Sequence, residues 1–192
     1  MRGFGQQLAR ARRGDGAAMR ALYDSVAAQV TGYARGNGVE DPDALANETL
    51  FRALSRIDRF EGGEQHFRSW VFTIAHNLII DDRRRMDRRP QQTDDDGPLE
   101  FATAPDDPAH TAISNCATEE LIGEIARLTD SQRDVVLLRV VADLSLEDVA
   151  RITGRTVGAT KAQQHRALAT LRRRLADRAV SRDNNQTFTP TP

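Results

Sequence analysis

The chain has 192 residues, 39% hydrophobic and 5% aromatic, which allows compact cores of modest size in one large or two small domains. No apolar run approaches the roughly 20 residues that span a bilayer, and the N-terminus lacks the apolar core of a signal peptide, so we expect a cytoplasmic protein. Cys116 cannot form an intramolecular disulfide, and its spacing from the histidines is not that of zinc ligands, so we expect no metal and no other cofactor. The four histidines are His66, His76, His110 and His165.

The charge of the chain is divided into blocks. The formal net charge is -1, yet residues 1–90 hold 15 arginines against 12 acidic residues, and residues 117–182 hold 12 basic against nine acidic residues. The segment between them, residues 91–116, has six acidic residues and no basic one. Two mildly basic blocks on either side of an acidic connector favour nucleic acid as a partner.

The first basic block, residues 1–90, has the pattern of three helices. Asp15 is a predicted N-cap for an amphipathic helix that ends at Gly36. Asp41 is a second predicted N-cap, and the proline after it suits the first helical position. The third helix is predicted from Phe67 to Arg85, apolar in its first half and cationic at its end. Together these helices predict one helical domain.

The acidic connector, residues 91–116, is rich in proline and aspartate and shows no sustained periodicity. Such a composition cannot bury enough apolar surface to offset the entropy lost on ordering, so we predict a flexible linker. A second helical domain is predicted over residues 117–182, followed by a disordered tail at 183–192. The fold class is therefore all-α, with two small helical domains joined by a flexible acidic linker.

The second basic block has the segment lengths of a helix-turn-helix. Capping boxes are predicted at Thr129 and Ser145. A short helix from Leu146 to Ile152 is followed by a turn at Gly154 and by a helix that Thr156 can cap. A plain helical hairpin that binds no DNA has the same turn, so the turn alone leaves both interpretations open.

The helix after this turn carries side chains that could read DNA. Gln163 and Arg166 can make paired hydrogen bonds to base edges, and Lys161 can contact phosphate. No acidic residue lies between Asp148 and Asp177, whereas a merely solvated helix usually mixes both charges. A cationic cluster continues this surface: Arg172, Arg173, Arg174 and Arg178.

Two polar residues interrupt the face of this helix that should pack. Thr160 and Gln164 fall between Val157 and Leu168 at helical spacing, and polar side chains there weaken packing unless each finds a hydrogen-bond partner. Our hypothesis is that both are partly exposed and that the C-terminal domain is underpacked. The alternative is that both are buried with partners.

The segment "FRSWVFTIAHNLIIDDRRR" combines aromatic residues with a cationic end. Phe67, Trp70 and Phe72 recur at helical intervals, so packing in the core is as good an interpretation as stacking on bases. The arginines that follow occupy five of seven positions, more than a favourable interaction with the helix dipole requires. They are Arg83, Arg84, Arg85, Arg88 and Arg89.

Three segments occur in the order and spacing of a known family. "DPDALANETLFRAL", "FRSWVFTIAHNLIIDDRRR" and, after the linker, "LTDSQRDVVLLRVVADLSLEDVARITGRTVGATKAQQHRALATLRRRL" together resemble the bacterial sigma-70 family, in its extracytoplasmic-function (ECF) group. The resemblance implies that the first domain (region 2) docks on the beta-prime clamp helices of core RNA polymerase and captures the melted minus-ten strand. It implies that the second domain (region 4) meets the beta flap and reads the minus-thirty-five duplex.

The resemblance also implies three sets of contact residues. The polymerase-binding set is Asp43, Asn47, Glu48, Leu50 and Phe51. The minus-ten set is Phe60, Trp70, His76, Asn77, Arg83, Arg84 and Arg85, and the loop from Phe60 to His66 corresponds to the one that holds a flipped base. The minus-thirty-five set is Arg155, Thr156, Lys161, Ala162, Gln163, His165 and Arg166. An anti-sigma partner is implied by the resemblance alone.

We therefore expect a protein that binds core RNA polymerase and promoter DNA and helps to open the DNA, without catalysing a reaction itself. The alternative is a stand-alone helix-turn-helix regulator that binds duplex DNA as a dimer, which leaves "FRSWVFTIAHNLIIDDRRR" unexplained. An enzyme has little support, since the sequence shows no nucleophile motif, phosphate loop or metal cluster.

Overall fold

The computed structural model describes residues 3–88 and 121–186, and its regular elements in these ranges are all helical. The first unit contains α1 (Phe4–Ala11), α2 (Gly16–Asp24), α3 (Ala27–Gly36), α4 (Pro42–Leu54), a 3-10 turn (Ile57–Arg59) and α5 (Glu64–Arg88). The second unit contains α6 (residues 121–126), α7 (Asp130–Val140), α8 (Leu146–Ile152) and α9 (Val157–Gln186). The predicted all-helical, two-domain fold is confirmed, while the predicted linker lies outside the described residues. Within these ranges, no helix has the length and apolar character needed to cross a membrane.

The first unit differs from the sequence prediction at its N-terminal side. Helix α1 was missed, although Phe4, Leu8 and Ala11 recur at helical steps and the last two are buried. The helix predicted from Asp15 to Gly36 is two helices, α2 and α3. They meet at Ser25, whose hydroxyl donates to the carbonyl of the residue three positions before it, at 2.7 Å, as the chain turns.

Side-chain caps mark several of the helix starts. The carboxylates of Asp15 and Asp41 each accept a hydrogen bond from the amide three residues on, at 3.1 and 2.8 Å. The Ser145 hydroxyl accepts from the corresponding amide at 3.0 Å. Thr129 occupies the N-cap position of α7, but its side chain makes no capping hydrogen bond, so the capping box predicted there is wrong.

The apolar stripes of the first unit converge on an aromatic core. Tyr33 packs edge-on against Phe72, with ring centroids 5.6 Å apart and an interplanar angle of 78°. Leu22, Leu50 and Phe67 are buried with them. Because α3, α4 and α5 all contribute to this core, the face of each helix that remains for a partner is fixed by packing.

Thr160 is part of the packed face of α9. This residue is fully buried, and its hydroxyl donates to the Thr156 carbonyl at 3.0 Å. Gln164 is half-buried, whereas Val157, expected on the packed face, is 41% exposed. The hypothesis of a partly exposed Thr160 is therefore wrong, because the helix itself satisfies the buried hydroxyl.

Helix α9 also extends beyond its predicted end. It continues to Gln186, whereas the sequence predicts a disordered tail from residue 183; residues 187–192 lie outside the described part. A buried carboxylate, Glu124, pairs with three guanidinium groups at 3.2 to 3.7 Å, those of Arg127, Arg174 and Arg178. Two of these arginines belong to the cationic cluster predicted as DNA-facing surface, and the pairing neutralises part of that cluster.

The two units pack against each other through α3 and α5 of the first and α7 and α8 of the second. At Gly36 the two units lie close together, because an added Cβ there would lie 2.7 Å from the side chain of Leu137. A larger residue at this position would force Leu137 to move, so glycine allows the helices to approach this closely.

Candidate nucleic-acid and polymerase interfaces

Helix α9 presents one free face. Four residues of the predicted minus-thirty-five set lie on it and are exposed: Lys161, Ala162, His165 and Arg166. At about 100° per residue, these positions lie opposite the buried Thr160, and the half-buried Gln163 lies on their flank. The structure thus brings together cations and hydrogen-bonding groups that could enter a DNA groove side by side.

The start of α9 uses two predicted contact residues structurally. The Thr156 hydroxyl accepts from the Ala159 amide at 3.2 Å, which confirms the predicted cap. The Arg155 guanidinium donates to the Ser131 hydroxyl of α7 at 2.5 Å. Gly154 adopts a φ of +65°, as the predicted turn requires. In this conformation the side chains of Thr156 and Arg155 therefore stabilise the helix-turn-helix.

The predicted flipped-base loop borders a cavity of about 480 Å³. Its aromatic wall is formed by Phe60 and Trp70, which stack with centroids 5.1 Å apart at 21°. Phe60 is only 7% exposed, and Trp70 is half-buried. The rest of the lining comes from Arg56, Arg59, Glu61, His66, Ser69 and Thr73 of the first unit and Arg151 of the second. An aromatic wall beside cations suits a flat ring attached to a phosphate.

His76, predicted to contact minus-ten DNA, is instead buried. Its Nδ1 lies 2.9 Å from the Tyr33 hydroxyl, and burial lowers the pKa of His76, with Asp134 opposing and Arg83 adding to that effect. Burial, helped by the Asp134 charge, also raises the pKa of Tyr33 well above its usual value. In this packed conformation His76 is therefore not free to contact DNA, contrary to the prediction from the motif. Its position four residues after the buried Phe72 was the signal for a core role.

The three consecutive arginines at the end of α5 have different surroundings. Arg83 donates to Asp134 at 3.3 Å and to Asn37 at 2.5 Å, and it lies 3.8 Å from Asp130. Arg84 and Arg85 are exposed, as is the predicted Asn77. Only part of the predicted minus-ten set is therefore free in this conformation, because α7 takes up Arg83.

A second polar contact between the units was missed by sequence reasoning. The buried Ser69 hydroxyl donates to Asp148 at 3.1 Å. Burial raises the pKa of Asp148, but hydrogen bonds from Ser145 and Ser69 and the charge of Arg151 outweigh it, so the pKa lies below its ordinary value. Asp148 is a charged anchor between α5 and α8. The sequence pattern around Asp148 indicates only that it lies in the first turn of a helix.

The predicted polymerase-binding set lies on α4. Asp43, Asn47 and Glu48 are exposed, and Phe51 is 69% exposed. Leu50 is fully buried, so it supports this surface from below and cannot touch a partner. Beside the set is a groove of about 570 Å³ with an apolar lining of Val39, Leu45 and Leu78 and a charged lining of four acidic residues and one arginine: Glu40, Asp41, Glu48, Asp82 and Arg85.

Comparisons with known proteins agree with the two-part architecture. Residues 19–89 match the family model for sigma-70 region 2, and residues 118–171 match that for sigma-70 region 4. The solved structure of CnrH in complex with the cytosolic domain of CnrY covers 89% of this chain, and this chain covers 96% of CnrH, with a TM-score of 0.64 at 22% identity. That likeness shows a shared fold.

Two curated relatives carry the same description. The chain is 34% identical over 174 residues to the ECF RNA polymerase sigma factor BldN of Streptomyces coelicolor, a match that covers 88% of this chain and 65% of BldN, so it spans just under two thirds of that relative. It is 32% identical over 175 residues to the ECF RNA polymerase sigma factor SigL of Mycobacterium tuberculosis, covering 88% of this chain and 94% of SigL. The chain belongs to the ECF group of sigma-70 family RNA polymerase sigma factors.

Proposed function

We propose that this chain binds core RNA polymerase, recognises minus-thirty-five and minus-ten promoter elements and promotes opening of the DNA. The observation that supports it best is that one chain carries both an exposed cationic helix face and an aromatic cavity bordered by cations. The free face of α9 is suited to duplex DNA, and the aromatic cavity beside Phe60 is suited to an unpaired base. Reading a duplex and holding a melted strand require these two kinds of surface.

Recognition of the minus-thirty-five element falls to α9. Arg166 can donate two parallel hydrogen bonds to a guanine edge, and Lys161 can neutralise a phosphate. Ala162 and Ala169 are small and exposed on the same face, so they let the helix backbone approach the floor of the major groove. The face carries no carboxylate that would repel the DNA backbone.

Capture of the minus-ten strand falls to the cavity beside Phe60. Extruding a base costs a few kcal/mol, and stacking on an aromatic ring returns about 1 to 3 kcal/mol. Trp70 offers the ring, while Arg56 and Arg59 border the cavity where the strand's phosphates would pass. Arg84 and Arg85 extend the cationic surface along α5.

Binding of core polymerase falls to α4. The exposed ring of Phe51 supplies apolar area, and Asp43, Asn47 and Glu48 supply polar contacts on the same helix. By resemblance, the partner surfaces are the beta-prime clamp helices for region 2 and the beta flap for region 4. Aromatic anchors within a polar surround are typical of binding hot spots.

The two units separate when the promoter is bound. In the packed conformation Asp134 occupies Arg83, and Arg151 of the second unit borders the minus-ten cavity. DNA phosphates compete for these same cations, so opening of the contact frees the strand-binding surface. An anti-sigma partner has the opposite effect to promoter DNA, because it keeps the sigma factor from binding polymerase. CnrH, which shares the fold, was solved with the cytosolic domain of CnrY.

Binding to core polymerase tests the first step of this function. Full-length protein is mixed with core enzyme, and the affinity is measured for wild type, Phe51→Ala and Glu48→Lys. Both variants should bind about tenfold more weakly or worse, as truncation of an anchor residue predicts. Arg20→Ala, an exposed change on α2, is the control and should bind normally. Equal affinity of all four proteins would contradict the assignment of α4.

A stand-alone regulator remains the alternative function, because the helix-turn-helix alone supports duplex binding. That protein would bind a palindromic duplex as a dimer without polymerase. Size-exclusion chromatography with and without duplex separates the two possibilities, since a sigma factor should elute as a monomer and need polymerase for tight promoter binding.

A further inference from the structure

Helix α1 lies outside the region 2 match, which begins at residue 19, yet it is packed into the first unit. Leu8 and Ala11 are buried, and the Phe4 ring lies 5.6 Å from the ring of Phe67 at a tilt of 50°. Phe67 in turn meets Phe60 edge-on at 5.6 Å. The apolar side of α1 therefore reaches the aromatic cluster behind the minus-ten cavity.

Arg12, the C-cap of α1, binds the backbone that leads into this cavity. Its Nε donates to the carbonyl of Ile57 at 3.3 Å, and a terminal nitrogen donates to the carbonyl of Phe60. These two carbonyls lie at either end of the segment that contains the 3-10 turn. A guanidinium group holds its donors in a rigid planar fork, so one side chain fixes the separation and direction of both carbonyls.

The loop that follows the segment held by Arg12 is exposed. After Phe60 the chain continues through three exposed residues, Glu61, Gly62 and Gly63, and Gly62 has a φ of +136°. Glycines carry no side chain to anchor this loop, so the Phe60 backbone depends on its own contacts. The Phe60 ring is the stacking partner of Trp70, and a shift of the backbone would move the cavity wall.

We propose that Arg12 is a positioning residue that holds the Phe60 wall of the minus-ten cavity, and that α1 is the element that presents it. This inference rests on the proposed role of the cavity in capturing a base. Arg12 does not need to touch DNA for this role. It acts by preorganisation, because a wall that is already in place does not have to be ordered when the base binds.

The first arm of the test uses the free, full-length protein. Trp70 is the only tryptophan, so its fluorescence reports directly on this cavity. Arg12→Ala should make Trp70 more accessible to acrylamide, whereas Arg13→Ala, which removes the same charge from an exposed neighbouring position, should not. The accessibility of Trp70 in Arg12→Lys should lie between those of the two alanine variants, because one ammonium group binds one of the two carbonyls more readily than both. Circular dichroism checks that all three variants are folded.

The second arm measures binding of a single-stranded minus-ten oligonucleotide by the protein bound to core polymerase. Arg12→Ala should weaken this binding about tenfold, because the Phe60 wall then has to be ordered when the base binds. The dependence of affinity on salt should stay parallel to that of wild type. A lost phosphate contact would instead make the salt dependence shallower.

The two arms separate the failure of this inference from the failure of the proposed function. If wild-type protein on polymerase binds no minus-ten strand, the proposed function fails, and with it the role of Arg12. If wild type binds the strand but Arg12→Ala and Arg13→Ala show equal quenching and equal affinity, only the positioning role is overturned. Weaker binding by Arg12→Ala with unchanged quenching and a shallower salt dependence also overturns it, because Arg12 would then be a phosphate contact.

Discussion

Helices α9 and α5 carry similar cationic signals in the sequence, but their cations have different surroundings in the structure. On α9, Lys161 and Arg166 share one exposed face. On α5, Arg84 is exposed while its neighbour Arg83 is paired with Asp134 of the other unit. A cationic run therefore predicts where positive charge is concentrated, whereas the fold determines which of those charges can reach DNA.

The difference has a simple packing cause. Helix α9 packs against α7 and α8, and the face that carries Lys161 and Arg166 is exposed. Helix α5 is central to the first unit, packs against α3 and α4, and then meets α8 as well. A helix with neighbours on several sides has fewer free positions, and its polar residues tend to be used in contacts between elements.

The largest expected effect separates the two neighbouring arginines of α5. Arg83→Ala should lower the free energy of unfolding by about 3 kcal/mol, because it leaves the buried Asp134 carboxylate without its ion-pair partner. Arg84→Ala should leave stability within about 0.5 kcal/mol of wild type, as expected for an exposed position. Urea denaturation followed by circular dichroism measures both.

The same pair sharpens the comparison when DNA binding is measured. Arg84→Ala should weaken binding of the minus-ten strand at unchanged stability. A stable Arg83→Ala variant would show that the contact between α5 and α7 contributes little to the fold, and the contrast between α5 and α9 would lose its basis.

A second prediction concerns the free face of α9. Arg166→Ala should reduce discrimination at one base position of the minus-thirty-five element by about 1 to 3 kcal/mol. Lys161→Ala should weaken binding to all promoter variants alike, since a phosphate contact carries no base preference. Competition binding on a set of single-base promoter variants distinguishes the two. Unchanged base preference in Arg166→Ala would mean that this face is not the one in the groove.

A smaller effect is expected from pH at the contact between the units. Because the pKa of His76 is lowered on folding, the unfolded chain binds this proton more readily, and stability should fall as the pH drops below about 6.5, the ordinary value for histidine. His76→Gln removes the titrating group and should flatten the pH dependence in that window. Denaturation at pH 7.5, 6.5 and 5.5 gives the free energy of unfolding of both proteins. If this free energy falls with pH as steeply in the variant as in wild type, groups other than His76 cause the pH dependence.

The smallest effect is expected at Thr160. Thr160→Val keeps the shape of the buried side chain, and the Thr156 carbonyl retains its bond from the Thr160 amide at 2.9 Å, so the free energy of unfolding should change by less than about 1 kcal/mol. Thermal unfolding of the two proteins is sufficient. A loss of several kcal/mol would mean that the hydroxyl has a role beyond its bond to the preceding turn.

Local signals predicted the parts of the fold that depend on neighbouring residues. Asp15, Asp41 and Ser145 cap helices as expected, since a cap and its amide lie three residues apart in the chain. Gly154 has the positive φ that the turn of a helix-turn-helix requires. On α9, Lys161 and Arg166 are exposed as helical spacing predicts, whereas Val157, expected on the packed face, is 41% exposed.

Features that depend on distant residues could not be predicted in the same way. The Ser69 hydroxyl meets Asp148 across 79 positions of chain, and a periodic pattern shows which face of a helix is buried but not what covers it. Glu124 is a charged residue of a type usually found at the surface, yet it is buried and paired with arginines from α9. The motif places His76 beside the minus-ten contact residues, but it does not show that the side of α5 that carries His76 is covered in the fold.

The most direct test of the account is the reactivity of minus-ten thymines to permanganate in a complex of this protein, core polymerase and a linear promoter identified from its transcripts. Wild-type protein should make these thymines reactive, because only unpaired bases are attacked. Trp70→Ala should bind polymerase normally but reduce the reactivity by about fivefold or more, since loss of base stacking is worth about 1 to 3 kcal/mol. If thymines stay protected with wild-type protein while the minus-thirty-five duplex is bound, the chain does not open promoter DNA and the central claim is contradicted.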